Sequence, residues 1–327
     1  MKGKNVVVLH NQVTADSPKD ELDVLVQAEA VAKALTALGY RPLTVPFSLD
    51  LKKTIRAIRK ADPLFIFNLV ESVEGDGQLI HMAPALLDHL GLRYTGNGQE
   101  AMFVTSNKFL TKKMLPLGGI ASPSWLGADH SGGLPAIGAG TYLLKSVWEH
   151  ASNWLDENSV VQIRDADELN AVLGKRNRAG RGQFYAERYI AGREFNQAVL
   201  AGEPLPTAEI RFVDFPADKL HIVDFRAKWE EESFEYTHTQ RSFDFSAADQ
   251  PLLESLRAMT TRCWDLFKLS GYARVDFRVD SENHPWVLEI NANPCLSPDG
   301  GFFAAAERCG LSFTEMVQRI VNDCLSS

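Results

Sequence analysis

Over the first hundred residues, short apolar runs alternate with longer stretches of helical period. Asn5 to Leu9 is an apolar run suited to a buried parallel strand. Ser17 followed by Pro18 marks a helix start, Val24, Ala28, Val31, Leu35 and Leu38 recur at helical spacing, and Gly39 is placed to end that helix. The pattern then predicts a strand over Arg41 to Val45, a helix over Lys52 to Lys60, a strand over Leu64 to Leu69, a helix over Leu79 to Leu90 closed by Gly91, and a strand starting at Arg93 and Tyr94. This rhythm predicts a parallel sheet covered by helices on both faces, with ligands bound at the carboxyl ends of its strands. The acidic, glycine-rich loop Val70 to Gly77 falls at one such end.

Further on, Ala128 to Gly140 is glycine-rich with little periodicity and reads as a linker or loop. Tyr142 to Leu144 is an apolar strand that delivers Lys145. A lysine at the end of a buried strand needs an anion or must reach solvent. Gln183 to Ile190 alternates as a strand, turns at Ala191 and Gly192, and returns through Glu194 to Leu200; Leu205 to Ile210 is a further strand. The segment Gly271 to Pro294 reads as a hairpin with strands Ala273 to Val279 and Trp286 to Asn291. Pairing Arg274 with Asn291 and Asp276 with Glu289 sets Val275, Phe277 and Val279 opposite Ile290, Leu288 and Trp286. One face is then apolar and the other carries Arg274, Asp276, Glu289 and Asn291. Two carboxylates directly across a ladder repel unless a cation lies between them or arginines such as Arg274 and Arg278 balance the face. Magnesium takes one or two protein carboxylates and completes its shell with water and phosphate oxygens, so a metal reading points to a nucleotide.

The composition of the 327-residue chain, 45% hydrophobic and 23% charged, is that of a globular protein large enough for two or three packed units. A formal charge of -8 argues against nucleic acid or an anionic membrane as a partner. The basic run Lys175 to Arg181 is read as a solvated loop. No stretch approaches a membrane span, the N-terminus turns polar early, and Cys263, Cys295, Cys309 and Cys324 show no CxxC pairing, so a cytoplasmic protein with reduced thiols is expected.

The stretch GYARVDFRVD through WVLEINANP, with AAERCGLSF after it, resembles the C-terminal signature of the ATP-grasp enzymes, in particular the D-alanine:D-alanine ligases. FNLVESVEGDGQ and LGLRYTGNG resemble the segment that ends the first domain of those ligases, and GREF their ribose-binding turn. The resemblance implies an α/β fold (α+β overall), an N-terminal parallel α/β domain followed by a two-lobed ATP-grasp fold. The expected bounds are 1–105, a central subdomain 106–186, and a C-terminal subdomain 187–327 that carries the metal and catalytic hairpin. It implies a carboxylate–amine ligase in which ATP phosphorylates a carboxylate and an amine displaces the phosphate, with ATP and Mg2+ (or Mn2+), small amino acid or peptide substrates, and room for a homodimer.

By the same resemblance, Lys108, Lys145 and Lys228 would face the phosphates, together with a loop containing Ser152. Glu187, Tyr189 and Ile190 would form the adenine hinge, and Glu194 would accept the ribose hydroxyls. Asp276, Glu289 and Asn291 would hold metal, Arg274 would stabilise the acyl phosphate and tetrahedral intermediate, and Glu21 would hold the amine of the first substrate, although Asp20, Glu21 and Asp23 also suit a first helical turn. The chain departs from the ligases at Glu71, where they typically carry histidine, at Ala151, where they have serine, at Trp229, where they have tyrosine, and at Gly300, where they have the serine that binds the acceptor carboxylate. Asp299 and Gly301 flank that last position, and Asp299 would repel a carboxylate. These departures lead to the expectation of an acceptor other than D-alanine. A D-alanine:D-alanine ligase that tolerates the changes, and a nucleotide-binding regulator without ligase activity, stand as alternatives.

Overall fold

The computed structural model describes residues 4–127, 137–148, 155, 159–178, 183–217 and 219–326. The first sheet comprises β1 (Asn5–Asn11), β2 (Arg41–Phe47) and β3 (Ile66–Leu69), all parallel in the order β2-β1-β3. Val6 to Leu9 are fully buried at its centre, which is why this strand is a continuous apolar run. Helix α1 (Lys19–Ala37) buries Val24, Ala28, Val31 and Leu35 along one stripe, with Asp20 and Glu21 in its first turn. Helix α2 (Leu51–Ala61) starts where the Asp50 carboxylate accepts from the Lys53 N–H and ends at Asp62 in the left-handed region.

Two expectations for this sheet change. The segment Leu79 to Leu90 is a 3-10 turn (Gly77–Leu79) followed by α3 (Met82–His89). Pro84 explains the break: a helix running from Leu79 would need its missing N–H to reach the Ile80 carbonyl, whereas at the third position of α3 that donor is not required. The strand at Arg93 and Tyr94 is one parallel bridge, Ile66 to Tyr94.

Helices α4 (Gln99–Ser106) and α5 (Lys108–Met114) follow, the second capped by the Asn107 side chain. An antiparallel sheet then forms in the order β4-β7-β5-β6, from β4 (Trp125–Gly127), β5 (Gly140–Ser146), β6 (Val160–Ile163) and β7 (Phe184–Arg188), with α6 (Ala166–Arg178) packed on it through Leu169 and Leu173. The basic run is therefore largely not a loop. Lys175, Arg176 and Arg178 form the last turn of α6, where cations suit the helix dipole, and 179–181 lie outside the described residues. Most of the glycine-rich stretch, 128–136, also lies outside them.

The third sheet contains β8 (Arg193–Leu200), β9 (Glu203–Pro204), β10 (Ala208–Phe212), β11 (Thr239–Ser242), β12 (Tyr272–Val279) and β13 (Pro285–Asn291), in the order β11-β10-β8-β12-β13 with β9 beside β8. Short helices α7 (Phe225–Trp229) and α8 (Phe234–His238) precede β11, and α9 (Gln250–Leu266) covers one face through Leu252, Leu256, Met259 and Cys263. Finally α10 (Gly301–Arg308) and α11 (Phe313–Ser326) turn back onto α1 and the first sheet. No described helix is long and apolar enough to cross a membrane.

Candidate active site

All three sheets meet at a cleft of about 650 Å³. Its floor is the β12–β13 hairpin, where Arg274 pairs with Asn291 and Asp276 with Glu289. Beyond Asp276 the register slips by one, so Phe277 faces Val287 and not Leu288. A bulge of this kind re-aims one side chain. Here Leu288 joins Glu289 on the cleft wall while Val287 takes the core position beside Phe277.

The charges on this floor are balanced within the protein. Arg274 donates from Nε and Nη2 to the two carboxylate oxygens of Asp276 at 2.7 and 2.8 Å, and Asn196 Nδ2 donates to the same group at 2.8 Å. Lys108 Nζ lies 3.8 Å from Glu289. Arg278, which the sequence offered as a counter-charge here, instead donates to the Gly192 carbonyl at 3.1 Å and the Tyr189 hydroxyl at 3.0 Å, and lies 3.6 Å from Glu194. Among the described residues no three histidine, cysteine or carboxylate side chains form a metal cluster. Asp276 and Glu289, with the Asn291 amide oxygen, nevertheless form a hard-oxygen set that fits magnesium completed by water and phosphate, since carboxylate and amide oxygens that already accept one bond keep further lone pairs.

One wall is lined by lysines. Asn107 caps α5, and the Lys108 N–H donates to the Val147 carbonyl at 3.0 Å, which fixes the helix start against the end of β5. Lys145, on β5, donates to Glu187 at 2.5 Å, and the buried Lys112 pairs with the other oxygen of the same carboxylate. Burial alone would raise Glu187, but these two ammonium groups hold it below the usual range. Glu187 is almost fully enclosed, and its carboxylate anchors the two lysines. Lys228, at the end of α7, faces the same space, where burial lowers its pKa and the field of Glu289 opposes the shift. Tyr189 and Ile190 line the far end. The Glu194 carboxyl there is raised by burial against the pull of Arg278.

The opposite end is acidic. Gln27, buried in α1, donates to Glu71 at 2.8 Å and Asp23 at 3.0 Å and accepts from the Leu296 N–H at 2.8 Å. Asp23 also accepts from Ser297 Oγ at 2.8 Å and Cys295 Sγ at 3.1 Å. Burial pushes Glu71 up to about 7, with Asp23 and Asp20 adding to the shift and Gln27 opposing it. Glu21 is raised by burial and by Asp20. Trp229 lines the cleft, and its buried indole N–H has no partner among the described residues. Asp299, Gly300 and Gly301 border it from the start of α10. Ser152 and Ala151 lie outside the described residues.

Sequence reasoning missed Lys112, Arg241, Asn196 and Gln27, each of which contacts or lines the site, and assigned Arg278 a different partner. Lys112 and Gln27 sit on the buried faces of amphipathic helices, where a polar residue at an apolar-phase position was the available signal. Arg241 was a lone cation in an acidic, aromatic stretch. Nothing local marks Asn196, because its partner is 80 residues away.

The family profile described as D-ala D-ala ligase C-terminus matches residues 159–322. Among curated proteins, a D-alanine–D-alanine ligase of Synechococcus sp. (strain JA-3-3Ab) is 28% identical over 98% of this chain and 94% of its own length. One of Moorella thermoacetica is 28% identical over 95% and 97%. Among solved structures, the D-alanine–D-alanine ligase from Bacillus anthracis complexed with ATP superposes with a TM-score of 0.70 at 20% identity, over 98% of this chain and 97% of that one.

Proposed function

We propose the substrates for a chain that belongs to the D-alanine–D-alanine ligase family of ATP-grasp enzymes, which form amide bonds at the expense of ATP: two amino acids, with D-alanine as both donor and acceptor. The observation that carries the reading is the convergence of Lys108, Lys145 and Lys228 on the same cleft as Asp276, Glu289 and Arg274. Relatives with that printed name, aligned along nearly the whole chain, support D-alanine over other substrates.

In this reading adenine enters between Tyr189, Ile190 and Leu288, and Glu194 accepts the ribose hydroxyls. Lys108, Lys145 and Lys228 spread positive charge along the triphosphate, and Glu187 keeps Lys145 in place. Asp276, Glu289 and Asn291 would hold magnesium, which would supply neutralisation of phosphate charge. The donor carboxylate attacks the terminal phosphorus, ADP leaves, and an acyl phosphate forms. The acceptor amine then attacks the acyl carbon, loses a proton and displaces phosphate. Arg274, fixed in plane by Asp276, donates to the oxyanion that develops there. Glu21 receives the donor ammonium. Positioning and electrostatics suffice for this chemistry, and no covalent nucleophile is required.

A second reading, ligation of a different acid and amine, is favoured by Glu71, Asp299 and the free indole N–H of Trp229, which change the polarity of the substrate end. ADP release with magnesium and ATP, measured across D- and L-amino acids singly and in pairs with mass spectrometry of the products, separates the two. D-alanine alone should stimulate release and yield its dipeptide. Stimulation only by another pair overturns the substrate assignment, and ATP binding without any stimulated release overturns ligation altogether. Asp276→Ala should lower turnover at least about 100-fold, since it loosens Arg274 and removes a metal ligand together.

A further inference from the structure

Arg241 lies on β11, beside the start of α10, and lines the cleft apart from the lysines and the metal-binding set. Its guanidinium lies against Gly301: a Cβ built there would be 3.2 Å from Arg241 Nη2. A side chain at 301 would require the guanidinium to give by a few tenths of an ångström, so the glycine allows the close approach. Gly300 is closed in a different way. Its N–H donates to the Ser297 carbonyl at 2.8 Å, and a Cβ at 300 would sit 2.9 Å from that same oxygen. A hydroxyl-bearing residue at 300 would therefore require the turn to shift, so this edge of the cleft draws its side-chain donors from elsewhere.

The charge pattern is equally specific. Arg274 is committed to Asp276 through two hydrogen bonds, whereas Arg241 makes no ion pair among the described residues, Asp299 included. Arg241 is exposed on β11 and lines the same cleft as Arg274; partial desolvation there and the nearby Arg274 both lower its pKa, with Asp299 opposing. An anion placed beside them relieves that repulsion. A planar fork of N–H donors suits a carboxylate in particular.

We infer that Arg241 receives the carboxylate of the acceptor amino acid, from the strand facing the Gly300–Gly301 turn. The inference rests on the ligase reading and adds the side chain that holds the acceptor's free carboxylate. With the carboxylate held at Arg241, the amine one carbon away is directed inward to the acyl phosphate beside Arg274. A diamine acceptor would instead meet two arginines and be repelled, so Asp299 acts to moderate this positive end and does not itself select a cation.

The test compares wild type, Arg241→Met and Arg241→Lys with D-alanine and with D-alaninamide as acceptor, or with the acid and amide of whichever amino acid sustains turnover. Wild type should prefer the acid. Arg241→Met should raise the acceptor KM by about 10- to 100-fold, the range for losing a charge-assisted contact. It should also erase the acid-over-amide preference while leaving the KM for ATP unchanged, which reports an intact nucleotide site. Arg241→Lys should recover part of the preference. An Arg241→Met enzyme with the wild-type acceptor KM and the wild-type acid-to-amide ratio overturns the inference alone. A wild-type protein that releases no ADP with any amino acid overturns the ligase reading and the inference with it.

Discussion

Glu71 shows how one side chain at the substrate end couples chemistry to stability. Its carboxyl is moved from 4.5 to about 7, first by burial, with the field of Asp23 and Asp20 added and the Gln27 hydrogen bond opposed. A raised acid pKa means that folding favours the protonated form. The associated stability is fully present below pH 4.5 and is lost as pH rises towards 7, at up to about 1.4 kcal/mol per pH unit for a single group. Glu71→Gln cannot ionise, so urea midpoints taken from pH 4.5 to 7.5 should fall for wild type relative to the variant by the equivalent of roughly 3 kcal/mol. Parallel midpoints across that range would show that Glu71 is ordinarily solvated. Lys112 poses the opposite case, a buried cation on a buried carboxylate. Lys112→Met should cost about 3 kcal/mol by leaving Glu187 to Lys145 alone. The double variant Lys112→Met, Glu187→Gln should cost less than the two single changes added together, as measured by a denaturation cycle.

The hairpin owes its placement to close backbone contact with the Gly96–Asn97 turn that follows the first sheet. Gly271 has φ +65, and a Cβ there would lie 2.6 Å from Gly96 Cα, so both the conformation and the contact require glycine. Asn97 clamps the same junction, donating to the carbonyls of Tyr272 and Ala292 at 2.8 and 2.7 Å and accepting from the Ser270 N–H. Gly271→Ala should destabilise by about 2–4 kcal/mol and depress ADP release beyond what the lost stability explains, because Arg274 and Asp276 move with the strand. Unchanged turnover in a folded variant would mean that the junction does not set the floor. Most strands, together with α1, α2 and the body of α3, were legible in the sequence because their patterns are local: a full apolar run for β1, a helical stripe for α1, alternation for β12. The hairpin pairs at Arg274 and Asp276 were legible for the same reason. The slip that turns Leu288 into the cleft was not, since a bulge leaves the alternation of each strand intact and alters only their pairing. The Gly271 contact and the Asn196 bond to Asp276 were equally hidden, being set by segments far apart in the chain.

The first and last segments of the chain form one core. Met316, Val317, Ile320 and Val321 of α11 are buried with Val24, Val31 and Leu35 of α1, Phe67 of β3, Tyr272 of β12 and Phe302 of α10. Helix α1 also carries Glu21, Asp23 and Gln27, and Gln27 is tied to Leu296 just before α10. The acidic end of the cleft therefore has no independent support: it stands where the N-terminal sheet and the C-terminal helices are packed together. Removing a methyl-rich side chain from that seam should act on both. Ile320→Ala should cost about 2–5 kcal/mol, the range for deleting a fully buried isoleucine. Because the seam is shared, hydrogen exchange in β1 and α1 should accelerate together with that in α11, while β5 and β7, whose core is separate, keep wild-type protection. Acceleration confined to α11 would mean that the C-terminal helix is an appendage and that the first sheet folds without it. Concerted acceleration would also predict a raised KM for the donor amino acid in the same variant with the KM for ATP little changed, since Glu21 and Glu71 lie on the seam's side of the cleft and the lysines on the other.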